Sequence, residues 1–548
     1  LKEEDKYLFY WYFLPPSTTG NNNAENDDDI PLIIWLNGGP ACSSMDGLFL
    51  EHGPLEFVKE EKKKEEKTNK EGYQYKLQLR KEGSWHSIPA YIVYVDQPVG
   101  TGLSITLSKT YPRNDEEVNI DFYIWLQNFV RLHSNTLLNE DNTTLRRPLY
   151  FTGESHAGHY IPSMMEYIQL MNANIDNNIV NNNNDDDTTN TNNIKLPLYG
   201  AAIGNGSIDP YHQYSAAEAA YGHGIIGRSQ KAALDAKERQ CQQLLEKGSS
   251  NNKVCYDLLD DIIYESHGLG KTTEVSQYDI RLSESKSAPR TFPPGHRLIE
   301  AYLGGRGDNK IVSSNFQDVL KSINALESYT SSANQRYQEC TDPPYDALAH
   351  QDSKGVTKEL TSLLNTDTIS FLFFNGMMDL IVNHVGNEIA LEQLPWMYQS
   401  EWNTVAKRSA FFYNDALMGY KKEYQNLSFY KIIQSGHMVP LDQPQFTLHM
   451  IQQFIYSKKK NNNNIQSYTQ QLSQSNPCGT TATIEKKCTS TTNIIIPPSC
   501  AINPTTTTTN TIHNNNLVSG RKQTHKIVIF LLLLLLLAVV VIYYISNK

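Results

Sequence analysis

The sequence predicts an α/β fold with a mixed, mostly parallel central sheet. Two observations carry that expectation. Short apolar runs rich in β-branched and aromatic residues recur along the chain, separated by longer stretches; parallel strands need such long connections. Several runs end in turns built from Gly, Pro and Asn, and the ends of strands are where α/β sheets place their chemistry.

The elements follow in order. Tyr7–Phe13 and Leu32–Trp35 read as the first strand regions, joined by a solvated Asn/Asp loop at Gly20–Asp29. The Lys/Glu run Lys59–Lys67 reads as an exposed hairpin tip or short helix. Tyr91–Val95 is the next strand and runs into the Pro/Gly turn Asp96-Gln97-Pro98-Val99-Gly100-Thr101-Gly102. Leu149–Thr152 follows. Asn172–Asn193 is dominated by Asn, Asp and Thr, too polar to pack, and is expected to be a disordered insertion. Leu196–Ile203 resumes the sheet, and residues 209–345 suggest a helical insertion over the core. Ile369–Phe374 and Phe429–Ile433 are two late strands.

These elements assign residues 1–457 to one catalytic-sized domain. Residues 458–526 are rich in Asn, Gln, Ser and Thr and read as a flexible stalk. Ile527–Ile545 carries no charge and includes seven consecutive leucines, Leu531–Leu537. As a helix it would reach about 28 Å, close to the bilayer core of about 30 Å, so a transmembrane helix is expected, with residues 546–548 as a short tail. Arg521, Lys522 and Lys526 flank it on one side and Lys548 on the other; by that asymmetry alone the body would face the cytoplasm. Three sequons, at Asn142, Asn205 and Asn426, point instead to glycosylation and the secretory pathway, with the body lumenal. The lumenal placement is the expectation.

Composition narrows the function. The 548 residues are 39% hydrophobic and carry a net charge of −11. That is enough apolar material for a large core, and too acidic for general binding to nucleic acid. None of the seven cysteines falls in a CxxC metal or redox spacing. No metal and no cofactor is expected.

The strongest chemical signal is Gly153-Glu154-Ser155-His156-Ala157-Gly158, between a strand and an amphipathic stretch. A nucleophile elbow needs small residues because the backbone turns sharply there; here Ala157 takes the second glycine position and Gly158 follows. The partners are an acid and then a histidine in chain order. Asp379 and His437 both lie in loops at strand ends. His437 would take the proton of Ser155, and Asp379 would hold the imidazole in the required tautomer. Asn37-Gly38-Gly39-Pro40 follows the strand at Trp35. With His156 it offers backbone N–H groups, those of Gly39 and His156, for an oxyanion hole.

Together these residues resemble the serine carboxypeptidase family, whose members have the α/β-hydrolase fold. The resemblance rests on Trp35-Leu36-Asn37-Gly38-Gly39-Pro40-Ala41-Cys42-Ser43-Ser44, the turn Asp96–Gly102 and the Ser155 elbow. It continues through Gly204-Asn205-Gly206, Tyr278-Asp279-Ile280-Arg281 and Gly436-His437-Met438-Val439-Pro440. It implies hydrolysis of the last bond of a peptide or protein, with the free C-terminus as partner and with Asn37, Glu51 and Glu154 binding its carboxylate. Carboxyls facing a carboxylate cannot all be ionised, so the Glu pair is expected to hold protons at acid pH. The resemblance also implies the disulfides Cys42–Cys340 and Cys241–Cys255.

This chain has three departures. Ala41 stands in place of the usual Gly, His156 in place of the usual Tyr, and Met377 where an acid is common. The stalk and apolar tail are similar to the pheromone- or prohormone-processing branch, which implies a late Golgi or endosome-like compartment and basic C-terminal residues. Asp46 would sit by the leaving side chain and favour Lys or Arg; Met438, nearby, would favour apolar ones. The competing readings are an esterase or acyltransferase on the same fold, and an inactive membrane-tethered binding protein. Arg306-Gly307-Asp308 is the only hint of adhesion.

Overall fold

A computed structural model describes residues 5–16, 30–61, 73–181, 193–248, 253–265, 273–285, 294–305, 311–326, 330, 335–456 and 543–544. Its centre is a nine-stranded sheet. In chain order the strands are β1 (Tyr10–Phe13), β2 (Leu32–Leu36), β3 (Tyr91–Val95), β4 (Leu149–Glu154), β5 (Leu198–Gly204), β6 (Ser370–Gly376), β7 (Ser409–Tyr413), β8 (Ala416–Tyr424) and β9 (Leu427–Ile432). In space they run β7-β8-β9-β6-β5-β4-β2-β3-β1. The six central strands, β3, β2, β4, β5, β6 and β9, are parallel. β1 pairs antiparallel with β3 at one edge, and the β7–β8 hairpin pairs antiparallel with β9 at the other.

The alternation of side chains explains why the central runs are apolar throughout. In β2, Leu32, Ile34 and Leu36 enter the core on one face while Ile33 and Trp35 enter the core on the other. In β6, Phe371 and Phe373 share the first face, and Leu372 and Phe374 the second. Helices α1 (Asp115–Leu132) and α2 (Ala157–Asn181) cover the first face through Phe122, Trp125, Ile161 and Met165. Asn114 caps α1 by accepting from the Glu117 N–H, and three acidic residues occupy its first turn, as a helix N-terminus favours.

The insertion holds α3 (Arg228–Glu246), α4 (Lys253–Glu265) and α5 (Pro294–Leu303). The disulfide Cys241–Cys255 joins α3 to α4, and Cys42–Cys340 ties the loop after β2 to the end of the insertion. Two helices, α6 (His384–Gln393) and α7 (Pro444–Tyr456), follow β6 and β9; α7 packs Phe446, Met450 and Ile451 onto the second face.

The sequence expectations need several corrections. The hairpin Ser409–Tyr424 was not anticipated: β8 is largely exposed or half-buried, so it lacks the apolar run that marks the central strands. Residues 172–181, expected to be disordered, continue α2. Asn172 contributes to that end by acting as a backbone mimic: its Oδ1 accepts from the Leu196 N–H at 2.9 Å and its Nδ2 donates to the Leu196 carbonyl at 2.8 Å. Residues 182–192, Gly20–Asp29, most of Lys59–Lys67 and Arg306-Gly307-Asp308 lie outside the described residues. So do the stalk at 458–526 and Cys478, Cys488 and Cys500. Of Ile527–Ile545 only Tyr543–Tyr544 is described, as a two-residue strand beside Lys6–Leu8 rather than as helix. Among the described residues no helix is long and apolar enough to cross a membrane.

Candidate active site

The parallel strands end on one side of the sheet, and their following loops converge. Asn37 follows β2, Ser155 follows β4, Asn205 follows β5, Asp379 lies three residues beyond β6, and His437 lies five beyond β9. Ser155 has φ +61°, the left-handed region that a side-chain-bearing residue occupies only when its surroundings force it. Here the Ser155 N–H donates to the Gly204 carbonyl at 3.0 Å, and the Ser155 carbonyl accepts from Gly158 and Ser207. A methyl on Gly153 would fall 2.3 Å from the Leu36 carbonyl oxygen, so the first elbow glycine is set by strand packing.

His437 Nδ1 and Asp379 Oδ2 are 2.7 Å apart. Asp379 is buried and fully engaged. Its Oδ2 also accepts from Asn205 Nδ2 at 2.7 Å, and its Oδ1 accepts from the Ile381 N–H at 3.0 Å. The His437 ring meets the Tyr278 ring edge-on, and its backbone N–H donates to the Tyr278 carbonyl. Ser155 and His437 both line one cavity of about 1110 Å³, together with Gly39 and His156. Among the described residues neither the Gly39 nor the His156 backbone N–H has a hydrogen-bond acceptor within the protein. Gly38 lets that loop approach: a methyl there would lie 2.4 Å from the His156 nitrogen. The neighbouring Ala41 adopts φ +64° while buried, so the departure from Gly at this position is a strained one. Met377, the third departure, is half-buried and donates its N–H to Ile432.

Beside Ser155 lies a buried carboxyl pair. Asn37 Nδ2 donates to Glu51 Oε1 at 3.2 Å and to Glu154 Oε1 at 3.0 Å. Asn37 itself is fixed through its Oδ1, which accepts from Trp35 Nε1 and the Gly47 N–H. Burial pushes Glu51 up to about 7, against the lowering effect of its hydrogen bonds to Glu154 and Asn37. Burial and the adjacent Glu51 charge raise Glu154 well above the usual carboxylate range. Asn37 and Glu154 line the cavity, whereas Glu51 does not. It is fully buried in the π-helical turn Gly47–Glu51, where Asn37 donates to it.

Asp46 and Met438 both line the cavity. His156 is buried, stacked on His159, with its Nδ1 3.4 Å from Asp352 Oδ1. Burial, and then His159, pull its pKa down to about 3, so the ring is neutral across the physiological range. Asp352, His296 and Glu339 also line the cavity. No motif marked them, because their part in the site depends on chain segments far from them in sequence.

Two sequons need correction. Asn205 is fully buried, its Nδ2 committed to Asp379 and the Val382 carbonyl. Asn426 is buried with its Nδ2 donating to the Leu364 and Ile369 carbonyls. A glycan on either nitrogen is incompatible with this fold, since the amide is used inside it. Asn142 is exposed.

A left-handed serine at the end of a central parallel strand, with a histidine–aspartate pair and two unengaged N–H groups on the same cavity, defines a serine hydrolase of the α/β-hydrolase class. The model of the serine carboxypeptidase family matches residues 1–457, and the chain belongs to that family. Serine carboxypeptidase S10 family member 2 of Dictyostelium discoideum is 33% identical over 440 residues, covering 79% of this chain and 69% of that protein. The pheromone-processing carboxypeptidase KEX1 of Phytophthora infestans is 29% identical over 434 residues, covering 78% of this chain and 63% of that one. Among solved structures, the prohormone-processing carboxypeptidase of Saccharomyces cerevisiae superposes with a TM-score of 0.61. It is 24% identical, with 82% of this chain and 92% of that one covered, and so supports the fold.

Proposed function

We propose that the protein removes C-terminal residues from peptides through an acyl-enzyme at Ser155, favours acid pH and prefers Lys or Arg at the position removed. The observation that carries this reading over an esterase is the Asn37–Glu51–Glu154 cluster next to the nucleophile. A protonated carboxyl there donates to the substrate's terminal carboxylate, and an ordinary ester offers no such group.

In the proposed mechanism Ser155 Oγ attacks the last peptide carbonyl as His437 takes its proton. Asp379 holds the Nδ1–H of His437 and stabilises the imidazolium. The Gly39 and His156 N–H groups receive the developing oxyanion. His437 then protonates the departing amino acid, and water releases the acyl group by the same route in reverse.

The pH dependence follows in sign from the raised carboxyls. Below about 7 Glu51 keeps its proton and the cluster binds the substrate carboxylate; above it Glu51 ionises and the added charge repels that carboxylate, while Glu154 is raised in the same direction. KM should therefore rise with pH above about 7, by up to about tenfold per unit. Glu51→Gln, which donates without ionising, should flatten that rise. A KM that stays constant from pH 5 to 8 would be incompatible with this role.

Asp46 supports the basic preference, since a buried carboxyl facing the cavity offsets the desolvation of a cationic side chain. The deciding experiment is a panel of peptides differing only in the last residue. Lys and Arg should exceed Leu and Phe in kcat/KM by roughly tenfold or more, and Asp46→Asn should remove most of that ratio. Faster release of Leu or Phe than of Lys or Arg would sink the preference while leaving the carboxypeptidase reading intact.

A further inference from the structure

On the wall of the cavity three buried ligand-type side chains meet. Asp46 sits at the start of the π-helical turn Gly47–Glu51, His296 lies on α5, and Glu339 precedes Cys340. His296 Nδ1 lies 3.4 Å from Glu339 Oε1 and 4.0 Å from Asp46 Oδ2. One ligand atom from each lies within 4.8 Å of the others. Three separate elements hold the group in place. The Cys42–Cys340 disulfide and the Ser43 N–H to Glu339 carbonyl bond (2.7 Å) fix Glu339 against the Asp46 loop.

Two features point to a cation here. The ligand atoms of Asp46, His296 and Glu339 converge from three separate segments to within 4.8 Å of one another. In addition, Asp46 Oδ1 is buried without a hydrogen-bond partner among the described residues. A buried oxygen left this way costs free energy that a cation would recover. We propose that Asp46, His296 and Glu339 form a site for a divalent transition-metal ion of the zinc type, whose occupancy competes with the C-terminal residue of the substrate.

The geometry selects the class of ion. Zinc bonds of about 2.0–2.1 Å at tetrahedral angles place neighbouring ligand atoms about 3.3 Å apart, close to the spacing between His296 and Glu339. An imidazole with two carboxylates suits zinc, whereas calcium needs six to eight oxygens and magnesium a near-octahedral oxygen shell. Three protein ligands leave a fourth position. All three residues line the cavity, so that position opens where a substrate side chain would enter. The competition, unlike the binding itself, rests on the carboxypeptidase reading.

The test is titration of zinc chloride into the full-length Ser155→Ala protein by calorimetry, with His296→Gln and Glu339→Gln in the same background. One ion per chain is expected, bound at least tenfold more weakly by each variant. Each substitution is also made with Ser155 intact, where labelling by a fluorophosphonate reports that the site is still folded. Saturable binding that persists in a correctly folded His296→Gln protein, or no binding below about 1 mM zinc, would overturn the site. A C-terminal peptide should bind the Ser155→Ala protein more weakly as zinc occupancy rises. If the peptide binds equally well at full occupancy, the competition is refuted. If it fails to bind even without zinc, the carboxypeptidase reading fails while the metal titration still stands or falls alone.

Discussion

Ser155→Ala is expected to lower kcat by about six orders of magnitude and to abolish labelling by a fluorophosphonate. KM and thermal stability should change little. The left-handed backbone at this position is held by the Gly204, Gly158 and Ser207 hydrogen bonds, all of which use main-chain atoms that the substitution keeps. The hydroxyl is the only group removed, and no other described serine shares this placement at the end of a central parallel strand with Asp379 and His437 across the cavity. Activity retained within about a thousandfold of the parent would rule out Ser155 as the nucleophile, because the oxyanion donors and binding alone leave only about a millionth of the parent rate.

Asp379→Asn is expected to lower kcat by about four orders of magnitude with little change in KM. The reason lies in how completely the carboxylate is used. Its Oδ2 accepts from both His437 and Asn205, and its Oδ1 accepts from the Ile381 N–H. An amide has only one acceptor oxygen for these three donors. If its NH2 faces His437, the ring must accept at Nδ1 and carry its proton on Nε2, where it cannot take the serine proton. It also then opposes Asn205. If the NH2 faces Ile381 instead, two donors point at each other. Either orientation leaves a buried donor unmet, so a loss of stability of about 1–3 kcal/mol should accompany the loss of rate. Asn205→Ala, which frees one acceptor position without changing the tautomer, should reduce kcat far less. Equal losses from the two variants, measured as kcat at the pH optimum, would show that Asp379 acts through the fold alone.

Much of this site was legible along the chain. Ser155, Asp379 and His437 each stand next to a strand, and strands announce themselves locally through apolar, β-branched runs. The small residues around Ser155 and the glycines after Trp35 are likewise local consequences of tight backbone approach. The limits of local reading show in the asparagines. Asn205 and Asn426 read as sequons because a sequon is three residues long; each is instead an internal clamp whose partners come from residues 364–382. Asn172 read as part of a polar tract for the same reason.

Short-range patterning along the chain marks most of the central strands and the chain order of nucleophile, acid and base. Which strands neighbour one another, and which carboxyls meet, follows only from the folded arrangement. Glu51 meets Glu154 at Asn37, and Asp46, His296 and Glu339 came together from three distant segments. The physical reason is that a carboxyl's proton affinity and its possible partners depend on burial and on neighbours within a few ångströms, and neither is encoded in the spacing of residues along one stretch of chain.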